Sequence, residues 1–284
     1  MSPDDSLCYL NGEYVTLASA TIPVLDRGFI FGDGVYEVVP AYHKRPFRLD
    51  QHLNRLQRSL AGVRIGNPRT REQWRAVIER LIQSSPAADV VVYIQVTRGV
   101  AKRDFAFPAD AAPTVFAMAS PLNRPSAAQR EQGLRAISVH DLRWLRCDIK
   151  SVSLLGAVLA RQQAADQGVD EVVQHRDGRL TEGSASNVWV VRAGRVLGPP
   201  RDNLILEGIR YAFIQELCER ASIPFETRTV SMDEVRSADE LMLSAATREV
   251  LPIVELDGRP IGDGRPGPVY RQLRRGYDAA IDAL

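Results

Sequence analysis

Cysteine, histidine and lysine are all scarce in this 284-residue chain, and each scarcity excludes something. The three cysteines, Cys8, Cys147 and Cys218, are odd in number and widely spaced, which gives neither a disulfide framework nor a zinc-ligand pattern. The four histidines, His43, His52, His140 and His175, show no close ligand pairing, and no Ser-His-Asp arrangement stands out. Metal and hydrolase chemistry therefore have no positive support. No run approaches the roughly 20 apolar residues of a membrane span, and the N-terminal MSPDDSLCYL carries acids but no apolar leader. Net charge is lacking too: 36 lysines and arginines face 35 acids, so no overall field draws nucleic acid or an anionic membrane. The expectation is a soluble, cytoplasmic protein whose partners are small molecules, with no metal, nucleic acid or membrane among them.

What is present is a foldable α/β chain. With 45% hydrophobic residues the length suits two lobes of roughly 100 to 150 residues. The polar, twice-proline stretch Ser120–Ser126 marks the boundary, which predicts an N-terminal α/β lobe over 1–122 and a C-terminal α/β lobe over 123–284. In the first lobe, Asn11-Gly12 between strand formers predicts a type I′ hairpin. Leu49, Leu53, Leu56 and Leu60 stripe a helix, a second helix spans Arg71–Gln83, and Val35–Tyr42, Val90–Thr97 and Thr114–Ala119 read as strands. The second lobe reads as strands at Leu134–Val139, Glu171–Gln174, Asn187–Val191, Phe225–Val230, Glu240–Ser244 and Leu251–Leu256. Helices are expected at Leu154–Gln167, from about Glu207 to Ala221, and on the surface from Pro268.

Lysine is the informative scarcity, because three of the 36 basic residues are lysines. Arginine stays protonated, whereas a desolvated lysine amine loses its proton and attacks a carbonyl, so a Schiff base requires lysine. Lys44 and Lys102 sit beside arginines in polar turns and read as solvated charges. Lys150, in Asp148-Ile149-Lys150-Ser151-Val152, lies at a half-buried junction before an apolar helix. A lysine snorkelling at an element boundary is the bland reading of that window. A lysine that holds pyridoxal phosphate (PLP) needs three companions: an anion site, an acid for the pyridine nitrogen and a wall beside the ring. Thr181–Asn187 sets Glu182 among small residues before a strand, although a turn with an exposed acid reads equally well. Leu206-Glu207-Gly208-Ile209-Arg210 opens a helix with glycine in its first turn, which suits a phosphate or is a plain helix start. Ser244–Glu249 offers a second small-residue turn. The cluster Gly28–Gly34 lacks the dinucleotide spacing and opens no obvious helix, so a nicotinamide site is rejected.

Three windows carry a resemblance: Asp26–Val38 (DRGFIFGDGVYEV), Arg143–Ser151 (RWLRCDIKS) and Thr181–Ser184 (TEGS). Together, and with the spacing between them, they resemble the fold-type IV PLP-dependent enzymes, most closely the D-amino acid (D-alanine) transaminases, over about Tyr9 to Tyr277. The resemblance implies that Lys150, carried by the C-terminal lobe, forms the Schiff base and shuttles the proton, and that Glu182 pairs with the pyridinium nitrogen. It implies that Arg55, Gly208, Ile209, Ala246 and Thr247 hold the phosphate, that Leu206 packs on the ring and that Tyr36 stands on the substrate side. It also implies a homodimer with the cofactor lying between the lobes.

Three positions depart from that pattern. Arg103-Asp104-Phe105 stands where Arg-x-His binds the substrate carboxylate, so Arg103 and Phe105 leave the preferred amino acid open. Arg210 and Ala246 stand where threonines are common, which implies a retained but altered phosphate grip. The expected reaction is ping-pong transfer of an amino group from a D-amino acid such as D-alanine to 2-oxoglutarate or another 2-oxo acid. L-branched-chain or (R)-amine transamination and aminodeoxychorismate lyase chemistry remain alternatives on the same fold, and a PLP-binding protein without turnover is a rival of a different class.

Overall fold

The computed structural model describes residues 5–284; residues 1–4, part of the stretch read as having no apolar leader, lie outside the described residues. The chain folds as two units. One holds the chain through Asn123 and the short segment Ile149–Ser153, with the terminal Leu284; the other holds Arg124–Asp148 and Leu154–Ala283.

The first unit is built on a six-stranded antiparallel sheet. Its elements are β1 (Leu7–Leu10), β2 (Glu13–Thr16), α1 (Arg27–Phe31), β3 (Gly34–Tyr42), β4 (Arg45–Pro46), α2 (Leu49–Gly62), α3 (Arg71–Ser84), β5 (Val90–Thr97) and β6 (Thr114–Pro121), and the strand order is β2-β1-β6-β5-β3-β4. Asn11 and Gly12 both take positive φ, as a two-residue hairpin with right-handed strand twist requires. The leucine stripe of α2 is buried together with His52, Arg55 and Ser59. It packs with Trp74, Ile78 and Leu81 of α3 and with Val90, Val92 and Val96 of β5 into one core.

Several expectations need correction here. The Gly28–Gly34 cluster does open a short helix: the Asp26 side chain caps α1 by accepting from Gly28 N at 2.8 Å, and Gly32 ends it at φ 65°. Lys44 is more than a solvated charge: half-buried, its Nζ donates to the carbonyls of Ile82 and Ser85 at the C-terminal end of α3. β6 runs on into Ser120 and Pro121, which the composition alone gives to the boundary. Proline is tolerated there because β1 pairs with β6 through Phe116, Ala117 and Met118, so among the described residues Pro121 has a strand neighbour on the β5 side alone. The sequence places Lys150 in the C-terminal lobe, but Ile149–Ser153 groups with the first unit. The cause is backbone pairing against β3, where Tyr36 N donates to Lys150 O at 2.9 Å and Val152 N to Gly34 O at 3.1 Å, together with Ile149 in the first core.

The second unit carries α4 (Ala127–Gln132), β7 (Leu134–His140), α5 (Leu155–Asp166), β8 (Glu171–Arg176), β9 (Arg179–Leu180), β10 (Asn187–Arg192), β11 (Arg195–Gly198), α6 (Ile209–Arg220), β12 (Phe225–Thr227), α7 (Met232–Arg236), β13 (Glu240–Ala245), β14 (Glu249–Leu256), β15 (Arg259–Pro260) and α8 (Pro268–Asp282). Its mixed sheet runs β12-β11-β10-β13-β14-β7-β8-β9, with β15 paired to β14. β7 lies parallel to both β8 and β14. The near-continuous apolar runs of β10, β13 and β14 follow from burial on both faces. Helix α6 starts at Ile209, so Gly208 is its N-cap rather than a first-turn residue. The strand expected over Phe225–Val230 ends at Thr227. Among the described residues no helix is long and apolar enough to cross a membrane.

Candidate active site

In the first unit, α2 supplies the polar side chains. His52, Arg55 and Ser59 recur at three and four residues, so they share one helical face although the leucine stripe runs beside them. Arg55 grips Glu37 of β3 with two bonds, Nε to Oε1 at 2.7 Å and Nη2 to Oε2 at 3.0 Å, and His52 Nδ1 meets Glu37 Oε2 at 2.8 Å. Ser59 Oγ accepts from the backbone N of Lys150 at 3.2 Å. The half-buried Lys150 places Nζ 4.2 Å from the ring centroid of Tyr36. Main chain and side chain thus fix the lysine beside the start of β3. Tyr36 itself rests near Tyr93, with ring centroids 5.7 Å apart. Arg103 and Phe105 belong to an exposed group in the same unit, where the Arg103 guanidinium lies over the rings of Phe31 and Phe105.

In the second unit, Glu182 is buried, which disposes of an exposed acid in a turn. Its turn is closed by Gly183 N donating to Ser186 O at 2.7 Å, and a Cβ on Gly183 would sit 2.2 Å from Ser186 Oγ and force that side chain to move. The carboxylate accepts from Leu206 N at 3.2 and 3.1 Å, from Asn187 Nδ2 at 3.2 Å and from Arg143 Nη1. Burial raises the Glu182 pKa above its ordinary value, and Arg143 with the Leu206 amide only partly opposes that rise. Leu206, half-buried, is held at both ends: its amide on Glu182 and its carbonyl on Asn187 Nδ2 at 2.9 Å.

Gly208 and Ile209 begin α6, whose first turn presents backbone N–H groups without intrahelical acceptors at the positive end of the helix dipole. A Cβ on Gly208 would stand 2.1 Å from Asn187 Oδ1, so glycine lets the helix start rest on Asn187. Arg210 turns inward, with Nε donating to Tyr277 Oη at 2.6 Å and Nη2 to Ala246 O at 3.3 Å. It therefore ties the start of α6 to the half-buried Ala246-Thr247 turn between β13 and β14. The buried Glu171 links that turn to the other one: its carboxylate accepts from Ser184 Oγ and Arg248 Nη1, both at 2.5 Å, and from Ser186 Oγ at 3.3 Å.

Residue-type reasoning singles out Lys150 and Glu182 but assigns no role to Glu37, Asp141, Arg143, Glu171 or Asn187. A signal exists for Glu37, a charge inside an otherwise apolar strand that must find a buried partner.

The amino-transferase class IV description matches residues 34–256. The chain belongs to the amino-transferase class IV family. The D-alanine aminotransferase of Staphylococcus aureus (strain MSSA476) is 38% identical over 276 residues, which span 97% of this chain and 98% of that one. The D-alanine aminotransferase of Bacillus licheniformis is 36% identical over 95% of each. Among solved structures, the branched-chain amino acid aminotransferase of Thermobaculum terrenum in its PLP form superposes with a TM-score of 0.87 at 24% identity, covering 99% of this chain and 95% of that one. The Escherichia coli branched-chain enzyme gives 0.90 at 23%, covering 97% and 94%. At that identity the likeness concerns the fold.

A class IV aminotransferase is PLP-dependent, and the residues present fit the cofactor within each unit. Lys150 provides a primary amine fixed against an aromatic ring. Glu182 provides a buried carboxylate whose raised pKa marks a charge that its neighbours leave partly uncompensated, which is the environment a protonated pyridine nitrogen completes. The start of α6 provides the N–H groups and dipole that a phosphate requires.

Proposed function

We propose that this class IV aminotransferase moves the amino group of a D-amino acid such as D-alanine to 2-oxoglutarate or another 2-oxo acid in two half-reactions at one cofactor. The observation that carries the reading is near full-length similarity, at 36 to 38% identity, to chains named D-alanine aminotransferase. When bound, PLP supplies the carbonyl that condenses with an amine and the ring that accepts electrons from Cα.

The chain's own residues do the rest. Lys150 Nζ is the point of covalent attachment, and once displaced it takes the proton from the substrate Cα and later returns one. Its position over Tyr36 keeps a cation-compatible aromatic surface beside it in both protonation states. Glu182 holds a proton on the ring nitrogen. The resemblance assigns Arg55, the amides of Gly208 and Ile209, and the Ala246-Thr247 turn to the phosphate, and Leu206 to the face of the ring. Tyr36 stands on the substrate side, and Arg103 and Phe105 are assigned to the substrate carboxylate by the resemblance, with Phe105 in place of a histidine donor.

The protein works as a cytoplasmic homodimer in this reading. Free, buried Cys8, Cys147 and Cys218 suit a reducing compartment. Leu155, Val158 and Leu159 form an exposed apolar stripe on α5 that suits a subunit contact.

The test is the visible absorbance of the holoenzyme mixed separately with D-alanine, L-alanine, L-leucine and a simple (R)-amine. Loss of the cofactor band with D-alanine and not with its L-enantiomer is expected. Loss with L-leucine or the (R)-amine alone assigns the enzyme to that donor instead, and a band that no donor changes favours a protein that binds PLP without turnover.

A further inference from the structure

The Arg143 guanidinium that meets Glu182 is fixed on its other edge. Nε and Nη2 donate to the two oxygens of Asp141 at 2.9 and 2.8 Å, and the backbone N of Arg143 donates to the same carboxylate at 3.1 Å. Asp141 is held in turn by Arg176 Nε at 3.2 Å and Thr181 Oγ1 at 3.0 Å. Helix α5 closes the third side, because a Cβ on Gly156 would stand 3.0 Å from Arg143 Cγ and 3.4 Å from its Cα. Arg143 therefore has little freedom, and the edge left to it lies on Glu182. Charges alternate along this line, from Arg176 to Asp141 to Arg143 to Glu182, and a protonated ring nitrogen continues the alternation.

We infer that Arg143, anchored by Asp141, is a positioning residue that keeps the Glu182 carboxylate charged and aimed at the cofactor's ring nitrogen. The inference rests on the reading above that Glu182 pairs with that nitrogen. A buried carboxyl left to itself takes up a proton, and a neutral carboxyl cannot hold the ring nitrogen protonated. Arg143 opposes the effect of burial on Glu182. The other titratable groups facing this pair are Asp141, which is held charged by Arg143 and Arg176, and Cys147, whose thiol burial pushes up to about 11 and so keeps neutral. The neutral donors Leu206 N and Asn187 Nδ2 orient the carboxylate but bring no net charge.

The experiment measures two quantities against pH: PLP affinity of the apoprotein, followed by fluorescence, and kcat of the holoenzyme. Arg143→Met, Arg143→Lys and Asp141→Asn are compared with the unaltered protein, and apoprotein melting temperatures confirm folding. Loss of the guanidinium raises the pH at which Glu182 protonates, so the acid limb of both profiles in Arg143→Met moves up by about one to three pH units. Arg143→Lys restores most of that shift because it returns the charge, and Asp141→Asn moves the limb less, in the same direction. A purely structural role would lower affinity and kcat at every pH, leave the limb in place and gain nothing from lysine. An unmoved limb in Arg143→Met overturns the inference; if that variant fails to fold, an unmoved limb in Asp141→Asn does so. A Glu182→Gln protein that keeps the original acid limb refutes the reading of Glu182 itself, and thereby separates the two failures.

Discussion

Glu37 in the first unit and Glu182 in the second are both buried carboxylates that face an arginine, yet they are driven in opposite directions. Burial by itself raises the pKa of each. At Glu37 the charge of Arg55, with two bonds from it and one from His52, overcomes burial and holds the carboxyl well below the ordinary carboxylate range. At Glu182 the burial effect is offset only in part and the pKa stays above its ordinary value, because Arg143 gives most of its donors to Asp141 and the other hydrogen-bond partners are neutral. A fully compensated carboxylate fastens the arginine that it holds, whereas an under-compensated one keeps a demand for positive charge that a ligand can meet. The two carboxylates therefore differ in what they still require, although their residue types are alike.

Removing the saturated charge is expected to have the largest effect, and the effect is on stability. Glu37→Gln takes away the anion that the buried Arg55 and His52 both face, and breaking a buried pair from one side costs about 3–5 kcal/mol. Denaturant unfolding of the apoprotein checks this. The pH dependence follows from the direction of the shift. A carboxyl with a lowered folded-state pKa contributes stability that is present above its ordinary value of 4.5 and is lost as the pH falls below it. Glu37→Gln should therefore flatten the acid limb of the stability profile. A variant as stable as the unaltered protein, with an unchanged acid limb, would remove the contrast between the two glutamates.

Glu182→Gln should show the reverse: little loss of stability, because an incompletely paired buried charge is exchanged for an amide, and a large loss of turnover. Removal of one preorganised electrostatic partner typically lowers kcat by about 100 to 1,000-fold. Steady-state kinetics at saturating PLP, beside the same unfolding measurement, separates the outcomes. A fall in stability matching that of Glu37→Gln, with turnover preserved, would make Glu182 a fastening like its counterpart.

How much of this is legible in the sequence depends on how local each determinant is. The Asn11-Gly12 hairpin, the leucine stripe of α2 and the apolar β5 are written in residues close together in the chain, and the structure forms them where the pattern indicates. Helix α1 is hidden because its cap and its terminating glycine look like one more glycine cluster until the Asp26 side chain is seen accepting from Gly28 N. The attachment of Ile149–Ser153 to the first unit depends on backbone bonds to β3, more than a hundred residues away, and no periodicity records such bonds. In the candidate site the chemistry singles out Lys150 and Glu182 by type, since a Schiff base needs an amine and a pyridinium needs an anion. The neighbours that set their charge states are chosen by tertiary packing. Thirty or more arginines offer no local hint that Arg143 is the one beside Glu182.

Gly208→Ala gives the smallest expected effect and probes the neutral part of the Glu182 environment. The new methyl would fall 2.1 Å from Asn187 Oδ1, well inside contact distance, and the space on that side is taken by the amide that donates to Glu182 and to Leu206 O. Either Asn187 rotates away or the start of α6 moves outward. Overpacking of this kind costs about 1–3 kcal/mol, and part of it is relieved because Gly208 precedes the helix rather than lying within it. The two responses have different signatures. Rotation of Asn187 weakens the hold on Glu182 and lowers kcat with PLP affinity nearly kept. Displacement of the α6 start withdraws the Ile209 amide from the phosphate and lowers affinity for PLP more than affinity for pyridoxal, which lacks the phosphate. A Gly208→Ala protein with unchanged kcat and unchanged preference for PLP over pyridoxal would show that neither Asn187 nor the helix start acts on the cofactor, and would leave charge alone to distinguish Glu182 from Glu37.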